Sequence, residues 1–469
     1  MKDLNFEDEL DFNEFPPVST EKWEEIIQKD LKGKNYKDVL RWDTGEGFNA
    51  LPFYRSEDLK PLEHSTHPLT SSGNWNVLEI IEAASPEEAN KQCLHALENG
   101  AGGLDLRQKS NSLSSKSDLE TLFKDIQIEI ISIVFGPSIS IPKVAGWFRE
   151  IISDRKLDHD SLDLHFSADL FSQCLVSGKL PDREDLKPYL SSLTQASISL
   201  VIDTSAYANA GANLVQQLAF SLAAGNEYLG MDQELADKLS FRFSTGTRYF
   251  PEIGKYRAFR LLWDQVLNEY GVSEHQVEIL TETALWNKTQ NDAYNNMLRT
   301  TTEAMSAAIG GCQSMSVHRF DDHFNEPTPF ASRIARNTQL ILQEEAYLSR
   351  VSDPAAGSYY IEVITEELCN QAWGLFQKIE QKGGFYESLR SGYIHDLIME
   401  ARQAKIRSYR QETEVLVGVN KYQPDETIND LTDKQIFTDV SDELPFKNTT
   451  DIPAIEPLHL EAELQKGDA

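Results

Sequence analysis

The strongest constraint on the fold is a repeated alternation of short β-rich runs with longer helical patterns. From residue 103 onward the starts of these runs are mostly about 35 to 40 residues apart, the size of a strand-helix unit in a right-handed parallel sheet. Eight such units close naturally into an α/β fold, the (β/α)8 or TIM barrel. The runs predicted as strands are 103–108, 126–136, 162–168, 197–204, 239–247, 277–284, 312–320 and 347–354.

Several of these runs alternate strictly between apolar and polar residues. The runs 239–245 and 162–167 carry polar side chains on one face throughout. One face of a barrel strand meets the helices and the other faces the lumen, so the pattern predicts a polar lumen. Antiparallel strands with one solvated face would alternate in the same way. The long helical patterns between the runs favour the barrel.

The segments outside the alternating region predict an arm before the barrel and a tail after it. Residues 1–70 form the N-terminal arm, whose aromatic side chains predict that it wraps a partner; the alternative is that it folds back on its own barrel. Residues 71–410 are assigned to the barrel. Residues 411–469 are expected to form an extended acidic C-terminal segment that is too short and too polar to form a further core.

The charge balance excludes several classes of partner. The 469 residues include 75 Asp and Glu against 44 Lys and Arg, a formal net charge of −31. Phosphate backbones and anionic lipids are repelled by such a chain, so we expect neither nucleic acid nor a membrane as partner. The acidic N-terminus lacks the features of a signal peptide, and no apolar run approaches ~20 residues. We therefore expect a cytoplasmic protein.

Candidate metal ligands are sparse along the sequence, and we predict no metal site. His64 and His67 lie in a polar loop without further ligands and are interpreted as solvated. The cysteines are far apart and form no C-x-x-C pair, which predicts reduced, mostly buried thiols. They are Cys93, Cys174, Cys312 and Cys369.

One histidine lies on a predicted strand next to an acidic residue. Asp163 and His165 are two residues apart, and such a pair can orient an imidazole for acid–base chemistry. No nucleophile is near in the sequence. This favours a hydrogen-bonded pair in a polar lumen.

The region from Asn287 to Gly384 is the most informative part of the chain. It contains the run Arg-Ile-Ala-Arg-Asn-Thr-Gln at 333–339, followed by Asp-Pro at 353–354 and Gly-Ser at 357–358. These motifs, in this order, closely resemble the acyl-CoA mutase barrel of the methylmalonyl-CoA mutase family. Similar segments stand at 46–54, 254–263 and 418–422, so the resemblance covers roughly residues 35 to 422.

The resemblance implies catalytic side chains that this sequence lacks. In catalytic members a Tyr-His-x-Gln stretch precedes Ala-Gly-Ala, and its histidine hydrogen-bonds the thioester carbonyl. The corresponding positions are Ser205, Ala206 and Ala208, which cannot supply an imidazole donor. A second family tyrosine, beside the substrate, is replaced by Ile80. We therefore expect no catalytic residues in this chain.

The resemblance also bears on the cofactor. Catalytic single-chain members append a cobalamin-binding domain with a D-x-H-x-x-G motif, which we do not find after Tyr422. We expect this chain to bind no cofactor and adenosylcobalamin to belong to a partner subunit. Gln313 and Glu345 match residues that face the corrin in active members. They are either remnants of that contact or structural hydrogen-bonding groups.

Together these features imply a non-catalytic small subunit that forms a heterodimer with a catalytic large subunit, or a homodimer when alone. The large subunit would interconvert (R)-methylmalonyl-CoA and succinyl-CoA. Two alternatives remain: an active barrel that uses a separate cobalamin-binding chain, and a stand-alone acyl-CoA-binding regulatory protein. Because a non-catalytic barrel has no need for a substrate channel, we expect Arg107, His165 and Arg242 to fill the lumen.

Overall fold

The computed structural model describes residues 18–60, 62, 73–107, 113–136, 141–158, 161–194, 199–272, 276–425, 446 and 448–466. Its strands are β1 (Trp42–Asp43), β2 (Asn49–Ala50), β3 (Asn76–Ile81), β4 (Gly103–Leu106), β5 (Ser132–Phe135), β6 (Asp163–Phe166), β7 (Lys179–Pro181), β8 (Ser199–Asp203), β9 (Leu239–Thr245), β10 (Glu278–Thr283), β11 (Ser314–Ser316) and β12 (Thr449–Asp451).

The helices are α1 (Thr20–Asp30), α2 (Tyr36–Leu40), α3 (Pro86–Glu98), α4 (Lys116–Leu122), α5 (Ile141–Arg155), α6 (Leu170–Ser177), α7 (Arg183–Thr194), α8 (Ser205–Ala210), α9 (Leu214–Met231), α10 (Tyr249–Glu269), α11 (Asn295–Gly310), α12 (Pro329–Leu340), α13 (Tyr359–Gln381), α14 (Gly384–Arg390), α15 (Tyr393–Arg410) and α16 (Leu460–Gln465). A π-helical segment, Ile341–Glu345, follows α12. None of the described helices has both the length and the apolar character that crossing a bilayer requires.

Eight of the described strands close into a barrel, and all their pairings are parallel. The order around the barrel is β3-β4-β5-β6-β8-β9-β10-β11, with β11 returning to β3. Seven of these strands lie within the predicted runs. The prediction of a (β/α)8 barrel is confirmed.

The prediction was wrong for one strand. The run 347–354 contains a 3-10 turn, Leu348–Arg350, and is not part of the barrel. The first barrel strand is instead β3, which precedes the counted series. The barrel closes without the run 347–354, because β11 pairs with β3 and every barrel strand then has two neighbours. No strand edge is left for another strand.

The outward faces of the strands form the main core. Phe135 of β5 stacks on Phe166 of β6 with ring centroids 4.7 Å apart, and Phe148 of α5 packs edge-on against Phe135. The four cysteines are free thiols, three of them buried and Cys369 half-buried, as predicted. Apolar packing between strands and helices thus holds the barrel.

Part of the arm lies on its own barrel. Thr44 and Ala50 are fully buried, and a Glu46 carboxylate oxygen accepts the N–H of Val215 at 3.0 Å. Helix α1 has no buried residues. Residues 44–50 therefore follow the fold-back alternative, whereas wrapping of a partner remains a prediction for α1. The aromatic residues before residue 18, and His64 and His67, lie outside the described residues.

The C-terminal segment also packs on the barrel. Strand β12 pairs antiparallel with β7. Further on, Leu458 and Leu460 are fully buried in an apolar cluster with Ile406 and Tyr409 of α15. The expectation that residues 411–469 form no core of their own stays a prediction; the described part of this segment shares a cluster with α15. The segment is acidic on average, but among its described residues Leu416, Leu458 and Leu460 are buried against the barrel.

Candidate functional site

The carboxyl ends of barrel strands are where a (β/α)8 barrel usually carries its chemistry. Here the lumen-facing side chains at that end are charged. The register sets Asp203 of β8 beside Arg242 of β9, and Glu282 of β10 beside Ser316 of β11. Asp105 of β4 faces the same space and is fully buried.

Arg242 lies at the centre of a network of paired charges. Its side chain is 2% exposed, and its guanidinium lies 3.5 Å from the carboxylates of both Asp105 and Asp203. Arg107 contacts Asp105 at 2.7 Å and Glu282 at 2.6 Å. Burial alone would raise the pKa of Asp105, but Arg107 and Arg242 outweigh it and lower that pKa. The network therefore stays ionised and links four strands across the axis.

Hydroxyl groups and an imidazole complete this network. Ser316 Oγ donates to Asp105 at 2.8 Å, and Ser167 Oγ donates to Asp203 at 3.0 Å. His318 lies 3.6 Å from Glu282. Buried charges are stable only when paired and hydrogen-bonded, and these contacts supply the pairing. The arrangement is a plug, with no carboxylate left over as a free acid or base.

Two further layers fill the axis toward the amino ends of the strands. Below the charged plug, alternate strands contribute an aliphatic layer of the kind usual in such barrels. Below that layer lies His165, which is 2% exposed. The prediction that Arg107, His165 and Arg242 occupy the lumen is confirmed. The aliphatic layer consists of Leu78, Val134, Val201 and Leu280.

The positions at which the resemblance implies catalytic side chains lie beside the plug. Ser205 begins α8 directly after β8; its Oγ donates to Asp203 at 2.5 Å and its N–H donates to the same oxygen at 3.0 Å. Ala206 and Ala208 are buried. Ile80 of β3 is buried next to Asp105 in the register. Ser205 supports the plug, and none of these side chains is a general acid or base at neutral pH.

An off-axis cavity of about 800 Å³ lies beside α8. Ala208 and Ser244 line its barrel side, and Lys405 of α15 lines the opposite side. Ser244 Oγ is buried and has no hydrogen-bond partner within the described part of the chain. The remaining lining residues are Arg41, Trp42, Asp43, Gly45, Glu46, Ala212, Asn213, Leu214, Gln216, Gln217, Gly246, Thr247, Arg248, Glu252, Trp286, Glu400, Ala401, Ala404, Arg407, Ser408, Gln411, Thr413 and Glu414.

Two charged groups of the off-axis cavity, Glu46 and Lys405, have pKa values shifted toward neutrality. Burial raises the pKa of Glu46 to about 7, although Arg248, 3.5 Å away, opposes the shift. Burial, with a smaller effect of Arg248, lowers the pKa of Lys405 to about 8. The Lys405 ammonium lies 4.1 Å from the centroid of the Trp286 ring. This cavity, unlike the lumen, holds polar groups that a small molecule could reach.

Sequence reasoning missed this cavity. Glu46 comes from the arm, Ala208 from α8 and Lys405 from α15, so no local motif joins them. The sequence offered one indication, the resemblance of residues 46–54 to a family segment. That resemblance suggested that this part of the arm belongs to the barrel fold, but it did not show which residues it contacts.

Gln313 and Glu345 lie away from both the plug and the cavity. Gln313 precedes β11, and its side-chain oxygen accepts the N–H of Ile279 at 2.8 Å. Glu345 is exposed at the end of the π-helical segment, two residues after Gln343, which contacts the backbone just before β3. Both are on the amino-terminal side of the barrel. Cofactor contact by these two residues stays a prediction.

The C-terminal segment crosses the carboxyl end of the barrel. The N–H of Leu458 donates to the carbonyl of Asn209 at 2.7 Å, and that of Leu460 to the carbonyl of Trp286 at 3.4 Å. These carbonyls belong to the regions after β8 and β10. The described part of the tail therefore lies across the segments that follow β8 and β10, and the absence of a cofactor stays a prediction.

Comparison with known proteins gives a consistent result. The family model described as methylmalonyl-CoA mutase matches residues 105–443. The chain is 34% identical over 442 residues to the methylmalonyl-CoA mutase small subunit of Porphyromonas gingivalis, covering 88% of this chain and 71% of that protein.

Longer relatives match over a smaller share of their length. The chain is 31% identical to the methylmalonyl-CoA mutase of Cereibacter sphaeroides, covering 85% of this chain and 64% of that protein. It is 29% identical to the mitochondrial methylmalonyl-CoA mutase of Homo sapiens, covering 86% of this chain and 60% of that protein. The chain thus spans less than two thirds of these two mutases.

Proposed function

Because the chain belongs to the methylmalonyl-CoA mutase family, we propose that it is the non-catalytic small subunit of a heterodimeric methylmalonyl-CoA mutase. Its partner would be a catalytic large subunit that holds adenosylcobalamin and interconverts (R)-methylmalonyl-CoA and succinyl-CoA in the cytoplasm. The observation that carries the proposal is the plugged barrel axis, together with Ser205, Ala206 and Ala208 beside it.

The plug argues against catalysis by this barrel. A substrate arm passing along the axis would have to displace Arg107 and Arg242, and leave Asp105 without its partners. Breaking a buried ion pair in this way costs about 3–5 kcal/mol. A second layer, of aliphatic side chains, would still block the way.

The exposed apolar surface supports association with a partner. Leu298 of α11 and Tyr294 just before this helix are each 67% exposed, and Phe330 of α12 and Tyr347 after it are also exposed. Helices α11 and α12 pack against one another, so these side chains lie on neighbouring elements. Apolar patches of this kind usually mark interaction sites. We assign this surface and helix α1 of the arm to the contact with the large subunit.

The test uses the full chain with and without a catalytic large subunit. We expect the chain alone to show no mutase turnover with adenosylcobalamin, and a one-to-one complex by size-exclusion chromatography to be active. Leu298→Asp should weaken the complex. Ile130→Asp, at an equally exposed position in the turn before β5, is the matched control. Turnover by this chain with only a separate cobalamin-binding protein would establish the alternative of an active barrel.

The off-axis cavity favours a second candidate, a stand-alone acyl-CoA-binding regulatory protein. Its volume, about 800 Å³, lies within the ~300–1,000 Å³ range of small-molecule sites. Calorimetry with CoA on the isolated chain separates the two candidates. Binding of CoA with a Kd on the order of micromolar, abolished in Lys405→Met, would support the binding protein. The absence of any heat of binding would support the subunit.

A further inference from the structure

A second cluster of charged side chains lies at the amino-terminal end of the barrel axis. His165 Nε2 is 2.7 Å from Asp163 Oδ1 and 3.3 Å from Glu278 Oε1. One ligand atom from each of these residues lies within 4.8 Å of the other two. The proposed subunit function makes no use of this cluster.

The barrel register brings these three side chains together. Asp163 and His165 are two residues apart on β6, so both point into the lumen. Glu278 begins β10, and the register pairs it with Ser240 of β9. The aliphatic layer of Leu78, Val134, Val201 and Leu280 separates the cluster from the plug. The cluster therefore communicates with solvent only through the amino end.

The three side chains of the cluster differ in their exposure to solvent, and the two carboxylates are the accessible ones. The His165 side chain is 3% exposed, whereas the side chains of Asp163 and Glu278 are 41% and 33% exposed. The imidazole thus forms the floor of a shallow pit, and the two carboxylates form its rim. A hydrated cation can reach the rim without any opening of the barrel.

One imidazole and two carboxylates form a ligand set suited to divalent transition metals. Ligand atoms bound to one ion at about 2.0–2.2 Å lie about 3 Å apart. His165 Nε2 lies at about this distance from both carboxylates, 2.7 Å and 3.3 Å, and the three ligand atoms lie within 4.8 Å of one another. Asn76 Nδ2 donates to Asp163 Oδ2 at 3.1 Å and so orients the carboxylate while leaving Oδ1 toward the cluster. We propose that Asp163, His165 and Glu278 bind one divalent transition-metal ion, such as Zn²⁺.

Electrostatics and local structure set the expected affinity. Two carboxylates, a neutral imidazole and a divalent ion sum to zero charge, and the net charge of −31 attracts cations. His165 Nδ1, however, has no hydrogen-bond partner among the residues described. Outer-sphere partners usually add 10–100-fold in affinity. We therefore expect a Kd on the order of micromolar, and an ion that links β6 to β10.

The test is calorimetric titration of the tag-free, chelator-treated full chain with Zn²⁺ at about pH 8. Burial would lower the pKa of His165, but Glu278 and Asp163 outweigh it and raise that pKa to about 10, so the ion must displace a proton from the imidazole when it binds. We expect one ion per chain, and visible absorption bands when Co²⁺ replaces Zn²⁺. His165→Gln and Glu278→Gln should each weaken binding at least about tenfold. Asp163→Asn, at the most exposed of the three side chains, should do the same in a variant with little risk of misfolding.

The matched control removes another buried histidine. His323 Nε2 lies 2.7 Å from His459 Nδ1, so these two imidazoles could also bind a metal ion. His323→Gln should leave the affinity unchanged. The proposal is overturned if no heat is seen at about 100 μM Zn²⁺, if His165→Gln binds normally, or if His323→Gln abolishes binding.

Discussion

The plug and the off-axis cavity lie on two sides of α8, and both hold buried charges at the carboxyl end of the same barrel. In the plug, Arg242 contacts two carboxylates and Arg107 contacts two. In the cavity, Glu46 has Arg248 at 3.5 Å, and Lys405 lies over an indole ring. In the plug each arginine pairs with two carboxylates, whereas in the cavity Glu46 and Glu414 share Arg248 and Lys405 has no ion-pair partner among the described residues.

The pKa directions follow from this difference. Opposite charges lower the pKa of Asp105 despite complete burial, so the carboxylate stays ionised. Burial dominates at Glu46 and Lys405 and moves their pKa values to about 7 and about 8. Closely paired charges make a rigid closure, whereas loosely paired charges near an open space remain able to respond to a ligand or to pH.

Arg242→Met should have the largest effect, because it breaks the plug. The change leaves Asp105 and Asp203 buried with less compensation, and we expect a loss of about 3–5 kcal/mol in the free energy of unfolding. Urea denaturation measures it. Lys116→Met is the control, since Lys116 pairs with the exposed Asp154 and its loss should cost under about 1 kcal/mol. Equal losses would show that the plug is no stronger than a surface pair.

Leu460→Ala should have the next largest effect, because it loosens the tail beside the cavity. Leu460 is fully buried in the cluster against which Trp286 packs. We expect a loss of about 2–4 kcal/mol in the free energy of unfolding, measured in the same way. Leu298→Ala, at an exposed position, should change it by less than about 0.5 kcal/mol. If both variants behave alike, the tail is not part of the folded core.

Glu46→Gln should sharpen the comparison through its dependence on pH. The pKa of Glu46 in the folded chain, about 7, is above the usual 4.5, so its contribution to stability is present below pH 4.5 and is lost as pH rises through 7. Glutamine cannot ionise. The variant should therefore gain stability relative to the parent between about pH 4.5 and pH 8, by up to roughly 3 kcal/mol.

Denaturation at the two pH values measures this change. Glu344→Gln, at an exposed position, should show a difference that does not vary with pH. A Glu46→Gln difference that is equally flat would mean that the carboxyl is not held in the buried environment described for the cavity.

Lys405→Met should have the smallest effect. It removes a cation–π contact with Trp286, worth about 0.5–2 kcal/mol, and also the cost of burying a charge, so the two changes largely offset one another. We expect a net change under about 1 kcal/mol by urea denaturation. A loss as large as that of Arg242→Met would remove the distinction between the cavity and the plug.

The fold was predictable because its signals are local. The regular spacing of units predicted the barrel, and the period-two alternation in 239–245 and 162–167 predicted the polar lumen positions of His165 and Arg242. The expectation of a polar lumen was wrong for one layer, because Leu78, Val134, Val201 and Leu280 meet there from four strands. The prediction failed at 347–354 because strand pairing is decided by closure of the sheet. It gave no contacts for the tail, because burial of Leu458 and Leu460 depends on a surface formed by α15.

The sequence by itself determined which chemistry is missing. No imidazole, amide or phenol side chain is present at Ser205, Ala206, Ala208 or Ile80. These positions therefore cannot supply such a group, whatever the fold. The tertiary structure alone decided which charges neutralise one another. Coulomb energy and desolvation depend on distance and burial, and only the folded chain brings Arg242 between Asp105 and Asp203 while leaving Lys405 without so close a carboxylate.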